Sequence, residues 1–254
     1  AIYSSKLPPL IGPIRSARIS DIELLAQYGR VGFAYSGAQS KLRPVLAAAN
    51  LENLSAERNP PSIYGKDPNR PGPVNMILKP AQLLERANAR EGTIIDKPSK
   101  SPWTFGKAPE SQTTASMVKI KWPNAKYELR WDAELEKNLI YFAGEANLAA
   151  SGEHLYADTA IIQLVSITPS EYGDKFGGNT PFSQTVGTGK AYVLRDGTVI
   201  QATWNRPDVL SPTTWTDATG AEIKFAPGQV WVALTDQEPD FTRKPASAPT
   251  PTSK

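Results

Sequence analysis

Lys190-Ala191-Tyr192-Val193-Leu194-Arg195-Asp196-Gly197-Thr198-Val199-Ile200-Gln201-Ala202-Thr203-Trp204 is the stretch that decides the fold. Two runs rich in β-branched and aromatic residues flank Asp196-Gly197, a pair that tolerates the positive φ a two-residue hairpin turn demands. Working outward, a period of two recurs on both sides. Val118, Ile120 and Trp122 share one face, as do Tyr127, Leu129 and Trp131. Leu139–Phe142 and Ala160–Ile167 read as further strands, the second apolar enough to lie centrally. Thr214–Asp217 and Ala221–Phe225 flank Ala218-Thr219-Gly220 as a second hairpin, and Pro227-Gly228 turns into Val230–Leu234. Residues 114–236 therefore read as a mostly antiparallel β domain. Residues 237–254, rich in Pro, Ala, Ser and Thr, read as a disordered tail.

Toward the N-terminus the period becomes helical. Ser20-Asp21-Ile22-Glu23 has the spacing of a capping box, Ile22, Leu25 and Tyr28 fall on one face, and Gly29 is placed to end that helix. Val31–Tyr35 is a short apolar strand. Ser36-Gly37-Ala38-Gln39 leads into a second helix with Leu42, Val45 and Leu46 on one side and Pro44 in its first turn. Residues 55–75 carry Pro60, Pro61, Pro68, Pro71 and Pro73 and read as a long extended loop, a kind of segment that often carries function. Pro80 suits the first position of a further helix. The fold class expected is α+β. An incomplete α/β layer domain occupies residues 1–90, a polar, proline-broken linker residues 91–113, and the β domain follows.

Composition narrows the function more than it defines it. Cysteine is absent, which removes thiolate nucleophiles, disulfides and Cys-ligated metals, and a single histidine, His154, makes a His-rich metal site impossible and a Ser-His triad improbable. No metal and no cofactor is expected. Gly187-Thr188-Gly189-Lys190 runs into a strand, whereas a phosphate-binding glycine loop must open a helix. No run approaches the roughly 18 apolar residues of a membrane span. The chain opens on Ala1-Ile2-Tyr3-Ser4, which reads as the middle of a strand with a segment expected upstream. Residues 1–100 hold 14 Lys/Arg against 8 Asp/Glu, while residues 101–254 hold 14 against 17, so the basic part is N-terminal. That favours an anionic partner. Nucleic acid is not the partner expected, because no aromatic interleaving or reading motif accompanies the charge.

The best candidate site is Ile11-Gly12-Pro13-Ile14-Arg15-Ser16-Ala17-Arg18. Arg15, Ser16 and Arg18 lie behind a Gly-Pro turn and ahead of a helix start, where guanidinium groups and unpaired N–H groups suit an anion. The same arginines would equally lock the turn by pairing with carboxylates of the protein itself. Ser36 and Gly37, between a strand end and a helix start, are a second candidate, with an ordinary cap as the alternative. Asp132, Glu134, Glu136 and Asp158 are an acidic cluster better read as a solvated face than as paired catalytic carboxylates. Trp122, Trp131 and Trp204 read as core; Trp231 also reads as core, with exposure as its alternative, and Trp103, in the linker, is a candidate for exposure. His154 reads as a surface residue.

The Ile11–Arg18 segment resembles the YerB-like family of bacterial lipoproteins, which has no assigned activity. The similarity continues through Tyr35-Ser36-Gly37 and the loop ending Arg70-Pro71-Gly72-Pro73-Val74-Asn75-Met76. It extends to Gly187–Ala191, Asp196-Gly197, Thr203-Trp204, Gly220–Ile223 and Pro227–Trp231, so that it spans nearly residues 1–235. The resemblance adds Arg70 and Asn75 to the candidate ligand-binding residues. It also implies residence outside the cytoplasmic membrane, with membrane attachment only through a lipid anchor on an upstream segment, and acidic groups in that segment facing Arg15 and Arg18. Two departures stand out: Val74 occupies a place where the family often has histidine, and Gly144-Glu145-Ala146-Asn147 replaces a second histidine-containing pattern. Activity that depends on those imidazoles would be lost. The function expected is therefore an extracytoplasmic binding or scaffolding protein for an anionic ligand or envelope partner. The competing reading is a hydrolase or transferase acting on envelope polymers.

Overall fold

The structure is a computed structural model that describes residues 1–4, 6–96, 103–109, 113–173 and 178–242. The chain separates into two compact units. One comprises Ala1–Pro102, Ile167–Val186 and Arg206–Pro212; the other comprises Trp103–Ser166, Gly187–Asn205 and Thr213–Lys254. The sequence reading placed residues 167–186 and 206–212 in the β domain, whereas both belong with the N-terminal unit. Part of the expected linker, residues 97–102 and 110–112, lies outside the described residues, as does the expected tail from 243 onward.

The C-terminal unit contains two sheets that share a core. Five strands run in the order Thr214–Thr216, Thr198–Arg206, Gly187–Arg195, Thr159–Leu164, Val230–Thr235. Within it only the last pairing is parallel, with Thr159 opposite Val230. The second sheet runs Asp240–Thr242, Met117–Trp122, Ala125–Asp132, Lys137–Phe142, Glu145–Ala146, with Tyr156–Ala157 also on Lys137–Phe142. Val118, Ile120, Leu129 and Ile140 from this sheet meet Ala160, Ile162, Tyr192 and Leu194 from the other. Each aliphatic side chain buried this way contributes about 1.5–3 kcal/mol. The predicted hairpin forms, with Asp196 at φ 51 and Gly197 at φ 70 as its turn requires.

Three expectations for this unit are corrected. Ala160–Ile167 is not one strand: it stops at Leu164, and a separate strand, Ile167–Gly173, begins in the other unit. The second hairpin is formed in part: Thr214–Thr216 is a strand, whereas Ala221–Phe225 is not one and meets it through the Glu222–Thr216 bridge, with Asp217 N donating to Ala221 O and Ile223 N to Trp215 O, both at 2.9 Å. The residues just past Asp236 are ordered, since Asp240–Thr242 pairs with Met117–Lys119 and Phe241 packs edge-on against Tyr192.

The N-terminal unit is built from short pieces: helices α1 (Ile19–Ala26), α2 (Arg43–Ala48) and α3 (Pro80–Asn88), and three two-stranded pairs. Val31–Phe33 pairs in parallel with Leu51–Asn53, Tyr64–Lys66 antiparallel with Met76–Leu78, and Ile167–Gly173 antiparallel with Asn179–Ser183. The expected α/β layer is thus not a single sheet. Two of the three pairs have strands of only three residues, which cannot cover helices by themselves, and the connecting segments complete the hydrogen bonding. Residues 1–4 form no strand. The long loop 55–75 contains a 3-10 turn, Ala56–Arg58, and the strand Tyr64–Lys66. Pro44 and Pro80 do lie in the first turns of their helices.

The anticipated cap of α1 is also different. Its N-cap is Arg18, whose backbone N–H donates to Asp21 Oδ2 at 2.7 Å. Ser20 and Glu23 instead face the hairpin that joins this unit from far along the chain. Ser20 Oγ accepts from Ser183 N at 2.9 Å. Glu23 Oε1 accepts from Thr185 N at 2.7 Å, Thr185 Oγ1 at 2.8 Å and Val186 N at 3.1 Å.

Arg206 fastens the same corner. Its side chain is fully buried, and it donates to Glu23 O at 2.7 Å, Val209 O at 2.6 Å, Ser211 O at 3.0 Å and Thr185 Oγ1 at 2.8 Å. Burial pulls this guanidinium below its ordinary value. Its charge is met by oriented carbonyl dipoles and not by a direct carboxylate contact, so removing the donors strands three carbonyls out of water. Arg206→Met is expected to lower the unfolding free energy by about 3–5 kcal/mol. Urea denaturation followed by far-UV circular dichroism at the helical minimum reads this, because the helices α1, α2 and α3 all lie in the N-terminal unit, and an unchanged midpoint would contradict the clamp.

Candidate functional site

The Ile11–Ala17 segment is extended and hydrogen-bonded along both edges. On one side Ile11 N donates to Leu78 O at 2.9 Å, Leu78 N returns to Ile11 O at 2.8 Å, and Ile14 N donates to Met76 O at 2.8 Å. On the other, Ser36 N donates to Arg15 O and Ala17 N to Gly37 O, both at 2.9 Å. The neighbouring chain is fixed in turn, because Leu54 N donates to Phe33 O at 3.0 Å and Ala56 N to Tyr35 O at 2.9 Å. Local sequence explains the fit. A Cβ at Gly12 would lie 2.9 Å from Ile77 Cγ2 and 3.2 Å from Met76 O, so only glycine allows this approach. Ile14 and Ala17 are buried, and Arg15 between them is exposed.

Arg15 is exposed, and its guanidinium has no hydrogen-bond or ion-pair partner among the described residues. Ser16 is half-buried. Arg18 is half-buried, with Nη1 donating to Ala17 O at 3.2 Å, and its positive charge acts on Asp21. Burial raises the Asp21 carboxyl above the ordinary aspartate value; the Arg18 N–H and the Arg18 charge oppose that shift without cancelling it. The two arginines thus differ: Arg18 is engaged locally, whereas Arg15 is open.

Ser36 and Gly37 sit directly against Arg15–Ala17 through the bonds already given. Ser36 is not the cap of α2, since Gly37–Gln39 separate it from the 3-10 turn Ser40–Leu42 that precedes that helix. Gly37 lies near Glu57, whose carboxylate is paired with Arg43 at 2.7 Å. Asn75 adjoins Met76, the residue that receives Ile14 N–H, and its own carbonyl accepts Asp67 N at 2.7 Å. Arg70 pairs with Asp67 at 3.3 Å, an exposed contact that contributes little stability and leaves the guanidinium partly satisfied. Five of the seven candidates, Arg15, Ser16, Arg18, Ser36 and Gly37, therefore lie on two adjoining backbone segments. Asn75 flanks the opposite edge, and Arg70 belongs to a separate loop pair.

The other sequence candidates are structural. Asp158 is buried, pairs with Lys137 and accepts Gln229 N at 2.6 Å, which holds the Pro227-Gly228 turn. Asp132 accepts Glu134 N at 3.0 Å and Leu135 N at 2.9 Å within its own turn. Trp204 is buried with Nε1 donating to Leu164 O at 2.8 Å, and Trp231 packs against the core beside Tyr127. Trp103 is half-buried and stacks on Trp215. His154 is half-buried, with Nε2 2.8 Å from Ile140 O and its ring against Tyr141. Among the described residues no three His, Asp or Glu side chains converge as a metal site. Sequence reading missed Arg206, although the inward alternation Ala202, Trp204, Arg206 carried the signal.

Asp21 provides a pH test of the helix start. Its folded value is raised, so ionisation costs the folded state stability as pH climbs from the unfolded value through the folded one. Asp21→Asn keeps an acceptor for Arg18 N–H and removes that cost. It is expected to equal or exceed the parent in thermal stability at pH 7, while Asp21→Ala loses about 1 kcal/mol of capping. A thermal melt in which Asn is as damaging as Ala would contradict this assignment.

Residues 1–93 match the family model described as "Protein of unknown function (DUF3048) N-terminal domain", and residues 118–232 match the corresponding C-terminal domain. No curated protein matches the chain. Among solved structures, the crystal structure of YerB protein from Bacillus subtilis superposes with a TM-score of 0.78 at 18% identity, covering 96% of this chain and 81% of that one. At that identity the likeness is one of fold. With both domain models matched in order and one solved relative sharing the architecture, the chain belongs to the YerB-like, two-domain DUF3048 family, whose function is uncharacterised.

Proposed function

We propose that this chain is an extracytoplasmic binding or scaffolding protein of the cell envelope, and that its N-terminal unit holds an anionic ligand at Arg15. A cell-wall fragment or an acidic loop of a partner protein has the required charge. The observation that carries the reading is the state of Arg15: its backbone carbonyl is held by Ser36, while its exposed guanidinium meets no acceptor among the described residues. Fixing the backbone reduces the ordering cost of engaging a ligand. Ser16 and Ser36 hydroxyls stand on the same two segments and can donate to the same anion.

The hydrolase or transferase reading draws no support from the acidic cluster, because Asp132 and Asp158 hold neighbouring backbone N–H groups. Binding without turnover is the expected behaviour. Purified peptidoglycan and teichoic acid, each presented to the protein at low and moderate salt, provide the test. Retention should weaken with salt, no product should form, and Arg15→Gln should reduce affinity roughly tenfold with an unchanged melting temperature. Unaltered retention by a folded Arg15→Gln protein would remove Arg15 from the site, and released product would favour the enzyme.

A further inference from the structure

A second basic site lies elsewhere in the N-terminal unit. The outward face of α3 presents Gln82, Glu85 and Arg86, spaced three and four residues apart, and Ala89 and Arg90 follow the helix end. Opposite them runs the Pro60–Ile63 segment, held by Ile63 N donating to Pro60 O at 3.0 Å and Lys79 N to Ile63 O at 3.0 Å. The two enclose an open cleft of about 500 Å³, a size suited to a small ligand. Leu83 and Ala87, on the other face of the helix, are buried in the core, so the cleft wall is rigid.

The side chains in this cleft are unevenly satisfied. Arg90 Nη2 donates to Asn59 Oδ1 at 2.9 Å, and Asn59 Nδ2 is itself fixed on Ser55 O at 2.8 Å. Arg90 Nε is buried and has no acceptor. The guanidinium has thus lost hydration on one edge and gained only a neutral amide, which leaves its charge undercompensated. Arg86 is exposed one turn away and has no partner among the described residues. Glu85 lines the same cleft and limits the net positive charge, which selects for a small anion over a polyanion.

We infer that the cleft between α3 and Pro60–Ile63 binds a small oxyanion, a phosphate or carboxylate group, through Arg90 and Arg86. This site is independent of the Arg15 site and does not rest on it. A phosphate ester and a carboxylic acid would use the same guanidinium donors.

The test is a titration of the 15N-labelled protein with sodium phosphate and, separately, sodium acetate at constant ionic strength, following the arginine side-chain Nε–H resonances. The Arg90 resonance should shift saturably with phosphate, and Arg86→Gln should weaken that binding about tenfold. Saturation by acetate as well would extend the ligand to carboxylates, and saturation by phosphate alone would restrict it to phosphate groups. The resonance of Arg58, an exposed arginine without a side-chain partner among the described residues, should drift without saturating. An Arg90 response that merely parallels that of Arg58 with both anions, or is unchanged by Arg86→Gln, would overturn the inference. The Arg15 resonance reports its own site in the same spectra, so failure at one site is distinguishable from failure at the other.

Discussion

The N-terminal unit depends on one constraint: a seven-residue extended segment that is hydrogen-bonded on both edges yet belongs to no regular strand. Its three short strand pairs are too small to bury a core alone. Ile11–Ala17 brings two of them into register by bonding to Leu78 and Met76 on one side and to Ser36 and Gly37 on the other. Ile14 then enters the cluster with Leu54, Tyr64, Leu78 and Leu83, while Ala17 enters the cluster with Tyr35, Leu42 and Leu46. One segment therefore supplies side chains to both clusters of the unit.

The same constraint sorts the charges. Ile14 and Ala17 are buried while Arg15 is exposed, and the Arg15 carbonyl is held by the Ser36 N–H. Arg18, at the start of α1, is engaged by its own helix. Arg43 is satisfied by Glu57, Arg70 by Asp67 and Arg30 by Glu52. Against this background the Arg15 guanidinium stands open on a hydrogen-bonded backbone, the arrangement on which the proposed anion site rests. Arg206 performs the opposite task. It is wholly internal, it donates to carbonyls, and it ties the Ile167–Val186 hairpin to α1.

The β domain was legible because its information is local. Asp196-Gly197 sets its own turn, and alternation along Met117–Trp122 and Thr198–Arg206 reports which face is buried. The N-terminal unit was less so. Strands of three residues are too short for any period, and their partners are chosen by distant backbone. The spacing Ser20-x-x-Glu23 imitates a cap, but Arg18-x-x-Asp21 has the same spacing and wins. Ser20 and Glu23 are drawn instead to residues 181–186, about 160 positions away. The arginine turn was recognisable from composition; that Arg15 would stay open while Arg18 is engaged depended on contacts no local pattern encodes. Phe241 shows the reverse error, since a tail of low complexity concealed one aromatic residue able to close a sheet edge.

Amide hydrogen exchange measured residue by residue tests the central constraint most directly. If Ile11–Ala17 is the shared seam of the unit, the amides of Ile11, Ile14, Ala17 and Ser36 should be protected together and exchange with a common opening free energy. Exchange of Ile14 and Ala17 at unprotected-peptide rates, while Thr159–Leu164 remains protected, would show that the segment merely lies on the surface and holds nothing in place.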